Sequence, residues 1–171
     1  MGQFHVLFFS DHGDMHGSHL TSSIFPRPGD NNYMSGSANT ENTENPPGPV
    51  GTFRQFVTAI NRRDVGALVA LMTPDHLFVD SLGNRMQGAA SMDAGWCGYF
   101  TMCPDYWIRT DDAIAARDTV LAVGEAGGTI AGVVWRTPAA WKAVIRGGAV
   151  SEWRVFADNK PVYEILAKRK P

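Results

Sequence analysis

Three side chains that could act on a substrate or line its binding site share one face of a predicted strand. The segment 76–80 alternates as a strand does, which places His76, Phe78 and Asp80 together. A carboxylate beside the apolar Phe78 is poorly solvated, and such an acid suits proton abstraction next to a carbonyl group. The alternative is that Asp80 caps the turn at residues 81–84 as an Asx group. Both roles stay open at this point.

Three other ionisable side chains also have two candidate roles each. His76 would relay a proton or orient Asp80, or it is an exposed histidine at the start of its strand. Asp158, at the end of the last predicted strand, is a second acid near the pocket mouth or a turn former. Arg109 meets an anionic substrate, or it forms a cross-strand ion pair on an exposed face. We expect the second role in each case.

Large aromatic side chains come from several predicted elements that the fold would bring together. A cavity lined by such side chains prefers a flat or ring-containing ligand. The alternative is that the same side chains fill the core. The predicted substrate-binding residues are Phe56, Phe78, Trp96, Phe100, Trp141 and Trp153.

Three helices are predicted before the main run of strands. Thr52 and Gln55 form a capping box at the start of the first helix, whose apolar residues recur at helical spacing. Asp64 is a good N-cap for a second, shorter helix. A third helix follows Gly88 and presents an aromatic side until Pro104 ends it.

Long strands make up most of the remainder, joined by tight connections. Gly127 and Gly128 are interpreted as a bulge or turn at a strand end. Three helices followed by an antiparallel meander predict an α+β fold, in which a strongly curved sheet wraps the helices into a cone-shaped barrel with a pocket at its open end. The predicted strands span residues 106–116, 119–125, 139–146 and 149–157.

The first 51 residues have a different character and are predicted to be a disordered tail and linker. They are polar, rich in Pro and Gly, and lack sustained periodicity. Met34 resembles a natural start, so residues 1–33 are hypothesised to lie outside the working protein. The His- and Asp-containing cluster at 11–19 has metal-ligating side chains, but its spacing matches no closed site and we predict no metal there.

Composition restricts the class of protein. A chain of 171 residues with 44% hydrophobic residues has room for one domain with a real core. A formal charge of −2 disfavours nucleic acid as a partner. Cys97 and Cys103 are spaced for different sides of a helix, which favours free thiols and a cytoplasmic location. The early apolar run at 6–9 is too short for a membrane span, and we expect no membrane partner.

The order and spacing of four motifs resemble one superfamily. The motifs are the helix at 53–64, Phe-Val-Asp-Ser-Leu-Gly at 78–83, the aromatic helix from Trp96 to Pro104-Asp105, and Glu-Trp-Arg-Val-Phe at 152–156. Together they are similar to the nuclear transport factor 2-like superfamily, with its SnoaL-like polyketide cyclases, ketosteroid isomerases and limonene-epoxide hydrolases. The resemblance covers the predicted domain, residues 52–171, and not the tail.

The resemblance implies a role for Asp80, which lands where ketosteroid isomerases place their general base. In that enzyme, a Tyr and a protonated Asp assist the base. Phe56 stands at the tyrosine position here, and the second acid falls on Ala140 or Trp141. The strand-borne acid of the epoxide hydrolases falls on Val155. One acid in a pocket is what this chain shares with those enzymes.

Two functions follow as expectations. The first is an enzyme of isomerase, cyclase or dehydratase type that needs no cofactor or metal and acts on a small hydrophobic carbonyl compound through Asp80. The second is a non-catalytic module of the same fold that binds a small ligand or dimerises. The resemblance also implies a homodimer formed through the outer surface of the sheet.

Overall fold

The computed structural model describes residues 48–168. Most of the predicted tail and linker therefore lies outside the described residues, as do the hypothesised start at Met34 and the His- and Asp-containing cluster at 11–19. Residues 49–51, which the sequence pattern assigns to the linker, belong to the first helix.

Four helices pack on one six-stranded sheet. The helices are α1 (Pro49–Arg62), α2 (Val65–Ala70), α3 (Ala89–Met102) and α4 (Lys160–Ala167). The strands are β1 (Met72–Val79), β2 (Arg85–Gln87), β3 (Trp107–Ala116), β4 (Thr119–Ile130), β5 (Val133–Arg146) and β6 (Ala149–Ala157). The order across the sheet is β2-β1-β6-β5-β4-β3, and the two edge strands, β2 and β3, are not paired with each other.

The predicted α+β cone is confirmed, with two differences in detail. The sheet is mixed, because β1 and β6 pair in parallel while the other neighbours are antiparallel. A fourth helix, α4, follows the last strand, and its apolar side buries Val162 and Ile165. The three predicted helices and the antiparallel meander from β3 to β6 are all present.

The start of α1 differs from the prediction. The helix begins at Pro49, where proline is tolerated because the first N–H groups of a helix have no intrahelical partner. Thr52 is therefore not the N-cap. Its fully buried hydroxyl lies 3.4 Å from the Gly148 carbonyl oxygen, to which it donates. The Asp64 cap of α2 is confirmed, since its carboxylate accepts the Ala67 N–H at 2.9 Å.

The core forms where α1 lies on the inner face of the sheet. Phe53 and Phe56 are fully buried and contact the Trp153 ring of β6, with ring centroids 5.4 and 4.8 Å apart. The Asn61 side chain of α1 accepts the Ile108 N–H at 2.8 Å and donates to the Ile108 carbonyl oxygen at 2.9 Å. These bonds join α1 to the edge strand β3.

The long β4–β5 hairpin corrects the interpretation of Gly127 and Gly128. Both glycines lie inside β4, and the chain turns later, at Ala131 and Gly132, where φ is positive. A Cβ at Gly128 would overlap the Cys103 thiol and lie 3.1 Å from the Tyr106 Cα. Glycine is needed in mid-strand because another part of the chain approaches closely.

Within residues 48–168, no helix is both long enough and apolar enough to cross a membrane. The same residues hold no cluster of three or more His, Cys, Asp or Glu side chains arranged to bind a metal ion.

Replacing Gly128 with alanine is expected to destabilise the domain by about 1–3 kcal/mol, the usual cost of overpacking. The added methyl group would push Cys103 and the start of β3 away from β4. Urea unfolding of the purified variant measures this change.

Gly98→Ala is the matched control, because Gly98 lies in α3 and a Cβ added there would meet nothing within 4 Å beyond its own helical turns. Alanine favours a helix interior by about 1 kcal/mol over glycine, so this variant should be more stable. Equal stability of Gly128→Ala and the wild type would contradict the close-packing argument.

Candidate functional site

A cavity opens between the inner face of the sheet, α3 and the start of α4. Its free volume is about 60 Å³, well below the ~300 Å³ of pockets that hold drug-sized ligands. The wall is mainly aromatic and apolar, with a few hydroxyl, amide and carboxylate groups. The lining residues are Phe78, Asp80, Ser81, Trp96, Tyr99, Tyr106, Ala126, Trp135, Thr137, Trp153, Val155, Ala157, Asn159 and Val162.

Asp80 both lines the cavity and caps its own turn. Its Oδ1 accepts the N–H groups of Leu82 at 2.9 Å and Asn84 at 2.8 Å. Its Oδ2 accepts the Asn84 side-chain amide at 2.8 Å. The Asx-turn role expected as an alternative is therefore present. Since a carboxylate offers about four acceptor sites, these three bonds leave capacity at Oδ2.

The predicted aromatic residues divide into two groups. Phe78, Trp96 and Trp153 line the cavity. The structure does not bring the other three to its wall: Phe56 is fully buried between Trp153 and His76, Trp141 is 1% exposed within the core, and Phe100 stacks on Trp96 with ring centroids 5.3 Å apart. Three of the six predicted aromatic residues thus line the cavity, and the other three pack behind its wall.

The expectation that His76 is exposed is wrong, because β1 extends back to Met72 and the ring is fully buried. The His76 Nδ1 lies 2.7 Å from the Val150 carbonyl oxygen, to which a protonated Nδ1 donates. Nε2 is buried without a hydrogen-bond partner among the described residues. Burial lowers the His76 pKa, so the ring stays neutral. It is not among the cavity-lining residues.

Asp158 and Arg109 take the structural roles that were expected for them. The Asp158 carboxylate is exposed and accepts the Lys160 N–H at 2.9 Å, as a turn former does. Arg109 lies opposite Glu125 in the β3–β4 register and pairs with it at 2.8 Å. Neither residue lines the cavity.

Several lining residues are not predicted from the sequence. Trp135 and Thr137 lie in a stretch interpreted as a connection, because Gly127 and Gly128 are typical of a strand end. Asn159 precedes an unpredicted helix. Tyr106 is predicted only as part of a strand, and Tyr99 only as part of an aromatic helix. The position of Tyr106 directly after Pro104-Asp105 was a signal that could have indicated a site residue.

The two tyrosines supply protonated hydroxyl groups. Burial raises the pKa of Tyr99 and Tyr106 far above the usual range of a phenol. The Tyr106 ring stacks on Trp135 with centroids 6.1 Å apart and meets the Tyr99 ring edge-on at 4.8 Å. At neutral pH these phenols are hydrogen-bond donors and not bases.

A second depression adjoins the cavity, and we call it the outer groove. Its volume is about 440 Å³, and it shares three lining residues with the cavity: Ser81, Ala157 and Asn159. The Asn159 side-chain amide donates to the Ser81 hydroxyl at 2.6 Å at the boundary between them. The other groove residues are Leu82, Asp158, Lys160, Tyr163, Glu164 and Ala167.

A cone of helices on a curved sheet is the fold of the nuclear transport factor 2-like class of proteins. A family model described as a SnoaL-like domain matches residues 53–163. The chain belongs to this SnoaL-like domain family. A search of curated proteins found no match.

Solved structures share the fold at low sequence identity. A candidate SnoaL-like polyketide cyclase from Shewanella denitrificans is 12% identical with a TM-score of 0.64, over 71% of this chain and 98% of that one. A ketosteroid isomerase-like protein from Catenulispora acidiphila, in complex with trimethylamine, is 21% identical with a TM-score of 0.58, over 61% and 83%. TerC, co-crystallised with polyporic acid, is 16% identical with a TM-score of 0.62, over 70% and 98%.

The buried His76 should make stability depend on pH. Because its pKa is lowered in the folded state, the unfolded chain takes up a proton near pH 6.5 before the folded chain does. Stability is therefore fully present above pH 6.5 and falls below it, by at most about 1.4 kcal/mol for each pH unit. Urea unfolding at pH 7.5 and 5.5 measures the difference.

His76→Gln removes the titrating group, so the variant should lose less stability than the wild type between these two pH values. Asp75 and Glu152 are the neighbouring acids that oppose the lowered pKa, and both are retained in this comparison. The same pH dependence in variant and wild type would show that another group is responsible.

Proposed function

We propose that this chain is a cofactor-independent enzyme of isomerase, cyclase or dehydratase type, acting on a small hydrophobic carbonyl compound. One observation carries the proposal: Asp80 is the only acidic residue among the lining residues of an otherwise mainly aromatic cavity. In this role Asp80 abstracts a proton next to the carbonyl group and later returns it. The SnoaL-like family membership supports the class of reaction.

The hydrogen bonds to Asp80 support a positioned base. Two backbone N–H groups and the Asn84 amide hold the carboxylate in one orientation. An oriented carboxylate with acceptor capacity left at Oδ2 needs little reorganisation to receive a proton.

Other cavity residues supply the remaining chemistry that the reaction needs. The negative charge that develops on a carbonyl oxygen requires a hydrogen-bond donor. The buried Tyr106 phenol, which stays protonated, is our candidate for this donor. Trp96 and Trp153 contribute aromatic side chains to the wall against which a flat substrate would lie.

Asp80→Asn should reduce turnover of an accepted cyclic ketone or enone by at least about 100-fold, since general-base catalysis contributes about 10²–10⁴. Substrates are first found by ligand-induced thermal shift with cyclic ketones, enones and epoxides. Proton exchange next to the carbonyl group, followed by NMR in deuterated water, then measures turnover.

Asp93→Asn is the matched control, because it removes an exposed carboxylate on α3 that lines neither the cavity nor the outer groove. Its turnover should equal that of the wild type. Asn84→Ala tests the turn separately: it removes one bond to Asp80 but keeps the carboxylate, so turnover should stay within a few-fold. Full turnover in Asp80→Asn would remove Asp80 as the base.

The second candidate function is a non-catalytic ligand-binding or dimerisation module. It is favoured by a patch of exposed apolar side chains on the outer face of the sheet. Val123 pairs with Ala140 in register, and Ala140 with Phe156, so these side chains lie side by side across three strands. The large members of this outer patch are Ile114, Leu121, Val123 and Phe156, which are 69%, 50%, 52% and 51% exposed.

A homodimer through the outer patch is compatible with either function. Contiguous apolar surface of this kind marks an interaction site. Charged pairs flank it, including Lys142 with Glu152 at 3.2 Å and Arg109 with Glu125 at 2.8 Å. A surface that presents both charge signs is suited to face a second copy of itself.

The double substitution of Leu121 and Val123 by lysine should convert the dimer into a monomer, because it buries like charges against each other across the interface. Sedimentation velocity of the full chain measures the change. Leu82→Lys is the control, since Leu82 is 58% exposed on the turn after β1 and outside the patch. A monomeric wild type would contradict the dimer.

We place the protein in the cytoplasm. Cys97 is exposed, Cys103 is buried, and both are free thiols. Free cysteines suit a reducing compartment.

A further inference from the structure

The outer groove and the cavity are two neighbouring spaces, and the three lining residues that they share are called the barrier. They share Ser81, Ala157 and Asn159. The Asn159 side-chain amide bridges the shared boundary by donating to the half-buried Ser81 hydroxyl at 2.6 Å. Ser81 follows β1 and Asn159 precedes α4, so this bond joins segments 78 residues apart.

The Ser81–Asn159 bond at this barrier joins two side chains. Val162 and Ile165 are 2% and 9% exposed and hold α4 on the rest of the domain. The Thr137 hydroxyl fixes the chain before α4 by donating to the Asp158 carbonyl oxygen at 2.8 Å. Since these contacts hold the helix without the Ser81–Asn159 bond, opening of that bond does not require α4 to move.

The volumes of the two spaces differ, and the cavity by itself is small for a ligand site. The cavity alone offers about 60 Å³, whereas pockets for drug-sized ligands have roughly 300–1,000 Å³. The outer groove adds about 440 Å³ on the other side of the barrier. A ligand with one ring for the cavity and a substituent for the groove would use both.

We propose that the outer groove is a second subsite of the ligand site, entered when the Ser81–Asn159 hydrogen bond opens. The subsite takes an apolar tail of a ligand whose carbonyl-bearing ring occupies the cavity. The proposed function supplies only the class of ligand, a carbonyl compound. The subsite itself does not depend on whether Asp80 acts as a base.

The groove wall indicates the chemistry of the tail. Leu82 is 58% exposed although it is a large apolar side chain, and it faces the same groove as Tyr163 and Ala167. Burying alkyl carbons against such side chains is favourable. Three charged residues also line the groove and bring both charge signs to it: Asp158, Lys160 and Glu164. An alkyl or aryl substituent fits this surface better than a charged one.

The first experiment compares two probes by isothermal titration calorimetry of the full chain: cyclohexanone and 4-hexylcyclohexanone. The hexyl compound should bind at least tenfold more tightly. Leu82→Lys should remove most of that advantage and leave cyclohexanone affinity unchanged. Val134→Lys, at a site 79% exposed and outside the groove, is the matched control and should change neither affinity.

The second experiment removes the hydrogen bond of the barrier. Asn159→Ala deletes the side chain that donates to Ser81 and retains the Thr137 bond to the backbone of Asp158. Because the bond separates the two spaces, 4-hexylcyclohexanone should bind to the variant at least tenfold faster than to the wild type in stopped-flow tryptophan fluorescence, whereas Val134→Lys should leave the rate unchanged.

The outcomes separate this inference from the proposed catalysis. Equal affinity for both ketones, or a hexyl advantage that survives Leu82→Lys, overturns the subsite. An unchanged entry rate of the hexyl compound in Asn159→Ala overturns the gate. A hexyl advantage together with full turnover in Asp80→Asn supports the subsite and removes only the base.

Discussion

The parallel pairing of β1 with β6 is the constraint on which the rest of the structure depends. It places Phe78 beside Trp153 and Val79 beside Arg154, although these residues are 75 positions apart in the chain. The Val150 N–H donates to the Leu71 carbonyl oxygen at 2.7 Å. The Val150 carbonyl oxygen accepts a hydrogen bond from Nδ1 of His76. A local hairpin cannot make such a contact, because parallel strands need a long crossover connection.

This pairing also creates the cavity. The end of β1 brings Asp80 to the end of β6, where Val155 and Ala157 continue the wall. The aromatic contacts of α1 with Trp153 fill the core beside the cavity on the same inner face of that strand pair. A site assembled from the ends of two strands and the start of a helix can change its ligand by changing turn residues, while the core behind it stays constant. Such a division suits a fold that hosts many reactions.

Asp80 has a structural role in its turn at the position where we propose a chemical one. The turn requires an acceptor for its N–H groups, and a carboxylate satisfies two of them with one oxygen. The other oxygen is held by a single amide. The geometry of the turn thus orients the carboxylate at the edge of a mainly aromatic wall.

Local patterns in the sequence were sufficient for the elements whose stability comes from their own periodicity and caps. The apolar spacing of α1, the Asp64 cap and the alternation in β3 to β6 predicted the helical hairpin, the meander and the α+β class. The sequence also predicted Asp80 at the end of a strand beside Phe78. It predicted Trp96 and Trp153 as cavity-lining residues, and both lie in the cavity wall. These features depend on residues that are close in the chain.

Only the tertiary structure decided the features that depend on distant partners. Gly127 and Gly128 break a strand by local preference, but here they admit Cys103 and Tyr106 against β4, which extends the hairpin and brings Trp135 and Thr137 to the cavity. His76 is buried because Phe56 of α1 packs on its ring and Val150 of β6 lies beside it. The Ser81–Asn159 bond joins two short polar segments, neither of which carries a pattern of its own. The sequence by itself determined the fold class and one acid at a strand end, whereas long-range packing determined what surrounds that acid.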